Sequence, residues 1–216
     1  MLYRLFGGLS LQIILARLIV LMTAIPVHEF AHAWAAEKMG DSTARYSRRL
    51  SLNPLDHIDP IGALMILLIG IGFARPVPID SRNFRDHKMG TIVTSLAGPA
   101  SNILMALVCM IVAKLLGKAY NATEFGFLVG IYLVVKFMVD VNLSLAVFNL
   151  LPIPPLDGWH AICPLLPREL YWKIAAYEHQ IVWLVLILVM MGAFSGIIGI
   201  SRSLLFVLLD RMTSFI

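Results

Sequence analysis

The chain has 216 residues, 59% of them hydrophobic and 14% charged. Soluble domains run about 45–50% apolar and about 25% charged, so the composition excludes an ordinary soluble domain and fits one polytopic membrane domain over residues 1–216. The net charge of +4 is small enough to come from loop asymmetry and gives no reason to expect nucleic acid. Cys109 and Cys163 make neither a disulfide framework nor a cysteine-rich zinc site.

Arg4 and the apolar run behind it have the look of a signal peptide. The run outlasts any signal-peptide length and lacks a small-x-small cleavage site, so it predicts a retained first membrane helix over about 9–37. Pro26 should kink that helix or free a carbonyl, and Arg17 should face the bundle interior or snorkel. Near its C-terminal end stands His28-Glu29-Phe30-Ala31-His32. Imidazoles at i and i+4 share one helix face and can hold one zinc ion. The Glu beside the first His is then the candidate general base.

Residues 38–60 are polar. Ile61–Phe73 is apolar but too short to span, which suggests a re-entrant segment. In Ala74–Asp80 the prolines at 76 and 78 exclude a helix and favour an extended edge strand. Three apolar blocks follow, about 91–113, 126–149 and 179–214. The last is long enough for two helices broken near Gly192–Gly199. Lys136 and Asp140, one turn apart, are expected to pair. Between 149 and 158 three prolines in four residues end a helix while the chain is still apolar, which is tolerated only inside protein or beside a wet cavity.

Segment 38–90 carries eight Lys and Arg, against Lys114 and Lys118 in 114–125. By the positive-inside rule 38–90 is cytoplasmic and the N-terminus is outside. The His motif and Asp157 then both arrive on the cytoplasmic side. A catalytic zinc needs a third protein ligand and an open position. Candidates are Asp59, Asp140, Asp157, His160 and Glu178. Asp157 is favoured because its loop brings a carboxylate to the matching depth, although Asp-Gly is also a common turn. His57 and Asp59 read as ordinary loop polars. Asn149 ends the helix leading to Asp157 and reads equally as a holder of an oxyanion or the substrate backbone and as interhelical glue; Asn102 reads rather as glue.

These residues resemble the site-2 protease family of intramembrane zinc metalloproteases. His28-Glu29-Phe30-Ala31-His32 matches its first motif. The run from Asn149 through Pro152 to Asp157-Gly158 is similar to its N-x-x-P-x-x-x-x-D-G block. Ser51–Gly62, Gly72–Asp80 and Ala97-Gly98-Pro99-Ala100-Ser101-Asn102 resemble further stretches of the compact prokaryotic branch. The resemblance covers about residues 20–165. It implies that Asp157 is the third ligand of one zinc ion per chain and that Asn149 contacts substrate or the oxyanion. It implies a three-helix core and a small membrane-associated sheet at 72–80. It also implies activity on transmembrane segments of other membrane proteins, from within the lipid bilayer of a prokaryotic cell membrane. The chain is expected to have no room for the PDZ or nucleotide-sensing modules that members often carry, so regulation of that kind is expected to be absent or to come from another membrane protein.

The expected architecture is an all-α polytopic membrane protein with about six transmembrane helices, a small β element and a re-entrant segment. Its core lies at about 9–160 and its C-terminal helices at about 179–214. The competing readings are a metal transporter and a non-catalytic membrane binding protein. Against the first stand the lack of an internal repeat and a Glu that transport does not need; against the second stands the complete His-Glu-His-Asp set.

Overall fold

The computed structural model describes residues 11–69 and 72–216. The first ten residues, where the signal-peptide question lies, and residues 70–71 of the expected re-entrant segment fall outside the described residues. Helix α1, Leu11–Met39, continues through Pro26. It ends as a Schellman turn: Asp41 N–H donates to Ala36 C=O at 2.9 Å, and Gly40 takes φ +118°. Short helices follow: α2 is Thr43–Tyr46, α3 is Pro54–His57 and α4 is Pro60–Ile69. Asn53 caps α3, and Asp59 caps α4 by accepting from the N–H groups of Ile61 and Gly62. Arg17 turns inward and donates to Leu67 C=O at 2.7 Å, one of the carbonyls the end of α4 leaves unpaired. Ten residues of α4 rise only about 15 Å. The chain then returns so closely that a Cβ on Gly62 would overlap Phe73 C=O.

Asp86 caps α5, His87–Thr123, and α6 is Phe127–Asn149. The block expected at 91–113 is thus the middle of a 37-residue helix. After an irregular segment with a cis Pro154–Pro155 bond come α7, Asp157–Ile162; α8, Arg168–Ala175; α9, Glu178–Met190; and α10, Ser195–Met212. Gly192, at φ +77°, lies in the turn between α9 and α10.

α5 packs most extensively against α6 and then α1. The α5–α6 seam buries Ala106, Cys109, Met110, Val139 and Leu143, and α10 adds Leu209. At the end of α1, Ala33, Ala44 and Val77 form a second apolar cluster that holds the 72–80 segment down.

Two expectations are corrected. Among the described residues three helices (α1, α5 and α6) are long and apolar enough to cross a membrane, or four if α8 and α9, bent by 66°, form one span. About six is more than the described residues supply. The 13 residues of α9 rise only about 20 Å, against about 30 Å of hydrocarbon, and α10 carries Arg202, Asp210 and Arg211. No β-strand forms among the described residues. Segment 72–80 is non-helical, but its backbone pairs with Glu29, Arg49 and the His57 carbonyl instead of a second strand.

Candidate metal centre

α1 brings His28 and His32 onto one face, with their Nε2 atoms 3.0 Å apart. Asp157, at the start of α7, meets them from the far end of the chain. Its Oδ2 lies 3.2 Å from His28 Nε2 and its Oδ1 lies 3.4 Å from His32 Nε2. Two glycines permit this approach. A Cβ on Gly98 of α5 would sit 2.3 Å from His32 Nε2, and one on Gly158 would sit 2.3 Å from Leu150 C=O. Gly158 therefore lets α7 close onto the end of α6, beyond any role in a turn.

The outer ring nitrogens fix what the inner ones can do. His32 Nδ1 faces Thr94 C=O at 2.8 Å, and His28 Nδ1 faces Asn102 Oδ1 at 2.6 Å. Both partners are acceptors, so both Nδ1 atoms donate, and in a neutral ring Nε2 is then a lone pair. Two lone pairs and a carboxylate converge, and Asp157 Oδ2 is buried with no hydrogen-bond donor among the described residues. Protonating both rings instead would set two cations 3.0 Å apart. One divalent cation satisfies all three groups. His28, His32 and Asp157 are the one such group found among the described residues, with ligand atoms within 4.8 Å of one another, and nitrogen and oxygen donors of this kind suit zinc.

Glu29, one position from His28, is half-buried, and its Oε2 accepts the Val77 N–H at 3.1 Å. The rest of that extended segment is held as well. Arg49 donates to Arg75 C=O at 2.7 Å, and Arg75 N–H donates to His57 C=O at 2.9 Å. Asp41, fully buried, is the anchor. Its carboxylate accepts from Asp80 N–H and Asn83 Nδ2, both at 2.8 Å, and from the backbone and hydroxyl of Thr43. Burial alone would raise the Asp41 pKa, but these donors together outweigh it and hold the carboxyl below the usual aspartate value.

The other candidates lie elsewhere. Asp59 caps α4, His160 is exposed, and Glu178 opens α9. Asp140 does not pair with Lys136. It meets Arg202 Nη1 of α10 at 3.2 Å, while Lys136 lies over the Tyr132 ring. The Arg202 contact is a single one, Nη1 to Oδ1, made possible because α10 packs against α6. His57 is not an ordinary loop polar; it is fully buried, with Nε2 on Ser51 C=O at 2.7 Å. Asn149 closes α6, half-buried, and its amide makes no hydrogen bond among the described residues. Asn102 does link helices, through Asn142 Oδ1 at 3.0 Å, but its other end touches His28. Sequence reasoning missed Asn142, Asp41, Thr94 and the fit of Gly98. Asn142 offered a signal, an amide two turns before Asn149 on an otherwise apolar helix.

The family model "Peptidase family M50" matches residues 16–193, well over half of the chain. The chain belongs to peptidase family M50. This is the site-2 protease family of zinc metalloproteases, so the M50 chain is of that enzyme class. It is similar to "Putative zinc metalloprotease YwhC" of Bacillus subtilis, with 37% identity over 178 residues, 82% of this chain and 81% of the relative. It is 33% identical over 153 residues to "Putative zinc metalloprotease Rip2" of Mycolicibacterium smegmatis, covering 68% of this chain but only 56% of that protein. "Putative zinc metalloprotease MJ0611" of Methanocaldococcus jannaschii is 29% identical over 161 residues, 71% of this chain and 72% of the relative. No solved structure matches the M50 chain.

Proposed function

We propose that this M50 chain is an intramembrane zinc metalloendopeptidase that cleaves transmembrane segments of other membrane proteins. The observation that carries the reading is the convergence of His28, His32 and Asp157 as acceptors only, with the Glu29 carboxylate one residue from His28. These three would hold one zinc per chain. When bound, zinc supplies a Lewis acid that acidifies water toward neutrality and polarises a carbonyl. Glu29 receives the proton of the attacking water on the oxygen that Val77 leaves free, then delivers it to the nitrogen of the leaving amine. The Asn149 amide, eight residues before Asp157, donates to the developing oxyanion or the substrate backbone.

An intact substrate helix hides its carbonyls in i→i+4 bonds, so it must unwind before attack. Segment 74–80 is the element we assign to receive it by strand addition. Residues 75, 77 and 79 of an extended chain present their backbone on one edge. Arg75 and the Val77 N–H are held by the protein itself. Val77 C=O with the N–H and C=O of Ile79, without partners among the described residues, are the groups left for a substrate strand. Pro76 and Pro78 lack the N–H that the opposite edge would need. The short α4 and the return at Phe73 support a re-entrant segment beside it. The charge asymmetry of the loops supports a site toward the cytoplasmic face of a prokaryotic plasma membrane.

The test is cleavage of a membrane-protein substrate in proteoliposomes. Glu29→Gln should keep zinc and lower cleavage by roughly 10²–10⁴-fold, the range of general acid–base catalysis. A variant with unchanged turnover removes Glu29 from the mechanism. Wild-type protein that carries metal ions across the vesicle membrane without cutting peptide bonds would replace the protease reading with transport.

A further inference from the structure

His32 and His28 reach the same point by unequal means. The acceptor for His32 Nδ1 is the backbone carbonyl of Thr94, which can only accept. A carbonyl oxygen has two lone pairs, so Thr94 C=O can take the ring N–H beside a helix bond. The acceptor for His28 Nδ1 is a side-chain amide, Asn102, and an amide has two ends. Turned the other way, Asn102 would present a donor to Nδ1. His28 would then carry its proton on Nε2 and lose the lone pair that a metal needs.

What holds Asn102 is a second buried amide. Asn102 Nδ2 donates to Asn142 Oδ1 at 3.0 Å, and Asn142 Nδ2 donates to Met138 C=O at 2.8 Å. A backbone carbonyl has no donor, so it fixes the direction of each bond that follows. Met138 C=O takes the Asn142 amide, Asn142 offers oxygen to Asn102, and Asn102 offers oxygen to His28. Both amides are fully buried, so no water competes for either orientation.

We propose that Asn102 and Asn142 are positioning residues that lock His28 in the Nδ1–H tautomer and so make Nε2 a metal ligand. Asn142 acts from a distance, never touching the ring. The proposal rests on the zinc-site reading above and deepens it. Supporting partners of this kind typically change metal affinity by about 10–100-fold.

The test measures zinc affinity by chelator competition on the full chain in detergent, with helix content followed by circular dichroism. Wild type and His28→Ala come first. If His28→Ala binds zinc as wild type does, the zinc-site reading itself fails. With that reading intact, Asn142→Leu should weaken zinc binding by roughly 10–100-fold. Asn102→Asp gives His28 an acceptor with no wrong end, so the double variant Asn102→Asp/Asn142→Leu should regain most of the loss. A role in packing alone predicts instead that the two changes add. Unchanged affinity in Asn142→Leu, or a double variant no tighter than Asn142→Leu, overturns the proposal. A second measurement needs no Asn142 variant. Imidazole ¹⁵N spectra of the metal-free wild type, with the His28 signal assigned by its loss in His28→Gln, should find the proton on Nδ1. Finding it on Nε2 overturns the proposal as well.

Discussion

In α1 and α5–α6 the buried positions include His32, Thr94, Ser95, Asn102 and Asn142, whereas α8, α9 and α10 bury only Val185 and Leu209. The first region carries its polar groups inside and orders them. His28 and His32 each have an acceptor behind the ring, and the two asparagines direct one another. The second region is apolar toward its surroundings, with Trp172, Trp183, Leu184, Ile187 and Leu204 exposed. It meets the core through charges at its margin, Arg202 on Asp140 and Lys114 on Asp210. Buried polar groups are costly at membrane depth. Here they collect where three helices and one distant loop can satisfy them, and the C-terminal helices keep their large apolar side chains exposed.

If that division is right, disturbing the polar centre should remove function, while disturbing the margin should cost only stability. The largest effect is expected at Gly98. A side chain there collides with His32 Nε2, so Gly98→Val should empty the metal site and lower cleavage by roughly 100-fold or more, while helix content stays near wild type. Metal content by mass spectrometry, alongside the proteoliposome assay, checks it, and a zinc-replete Gly98→Val would break the comparison.

Asp41 lies at the edge of the ordered region, and its removal should act through the segment that it anchors. Asp41→Asn replaces one acceptor oxygen with a donor facing Asp80 N–H or Asn83. The expected local cost is about 1–3 kcal/mol, read as faster hydrogen exchange at Asp80, with lower cleavage and unchanged zinc. Because the folded Asp41 pKa lies below its ordinary 3.8, the carboxylate stabilises the segment above that pH. The contribution fades as pH falls through 3.8 toward the folded value. Exchange at Asp80, corrected for its intrinsic pH dependence, should therefore rise in acid in wild type and stay flat in Asp41→Asn.

The smallest effect belongs to the margin. Arg202→Leu should cost about 1 kcal/mol or less, since both partners are partly exposed, and cleavage should not change. The double variant Arg202→Leu/Asp140→Leu should cost less than Arg202→Leu alone, because it leaves no unpaired carboxylate. A thermal denaturation series in detergent measures the difference. Loss of activity in Arg202→Leu would instead tie α10 to the site.

Much of the core was legible in advance. The spacing of His28 and His32, the bounds of α6 and the break between α9 and α10 follow local periodicity and glycine position. The C-terminal span count was not. Apolar composition marks what can enter lipid, but the rise per residue and the charges on α10 decide what crosses. The strand at 74–80 failed for a different reason. Its prolines marked an extended chain correctly, but a strand also needs a partner, and that choice belongs to the rest of the fold.

The sequence alone determined that two imidazoles share a helix face with a carboxylate beside them, because i and i+4 spacing is a local property. It also determined that this chain belongs in lipid. Asp157 was already the favoured third partner, but only the tertiary structure brought its carboxylate within 3.2 Å of His28, set Asn142 behind Asn102 and carried Val77 to Glu29. Those contacts join residues from 40 to more than a hundred positions apart. At such separations helix packing chooses the neighbours, and each buried donor or acceptor then takes the partner within its reach.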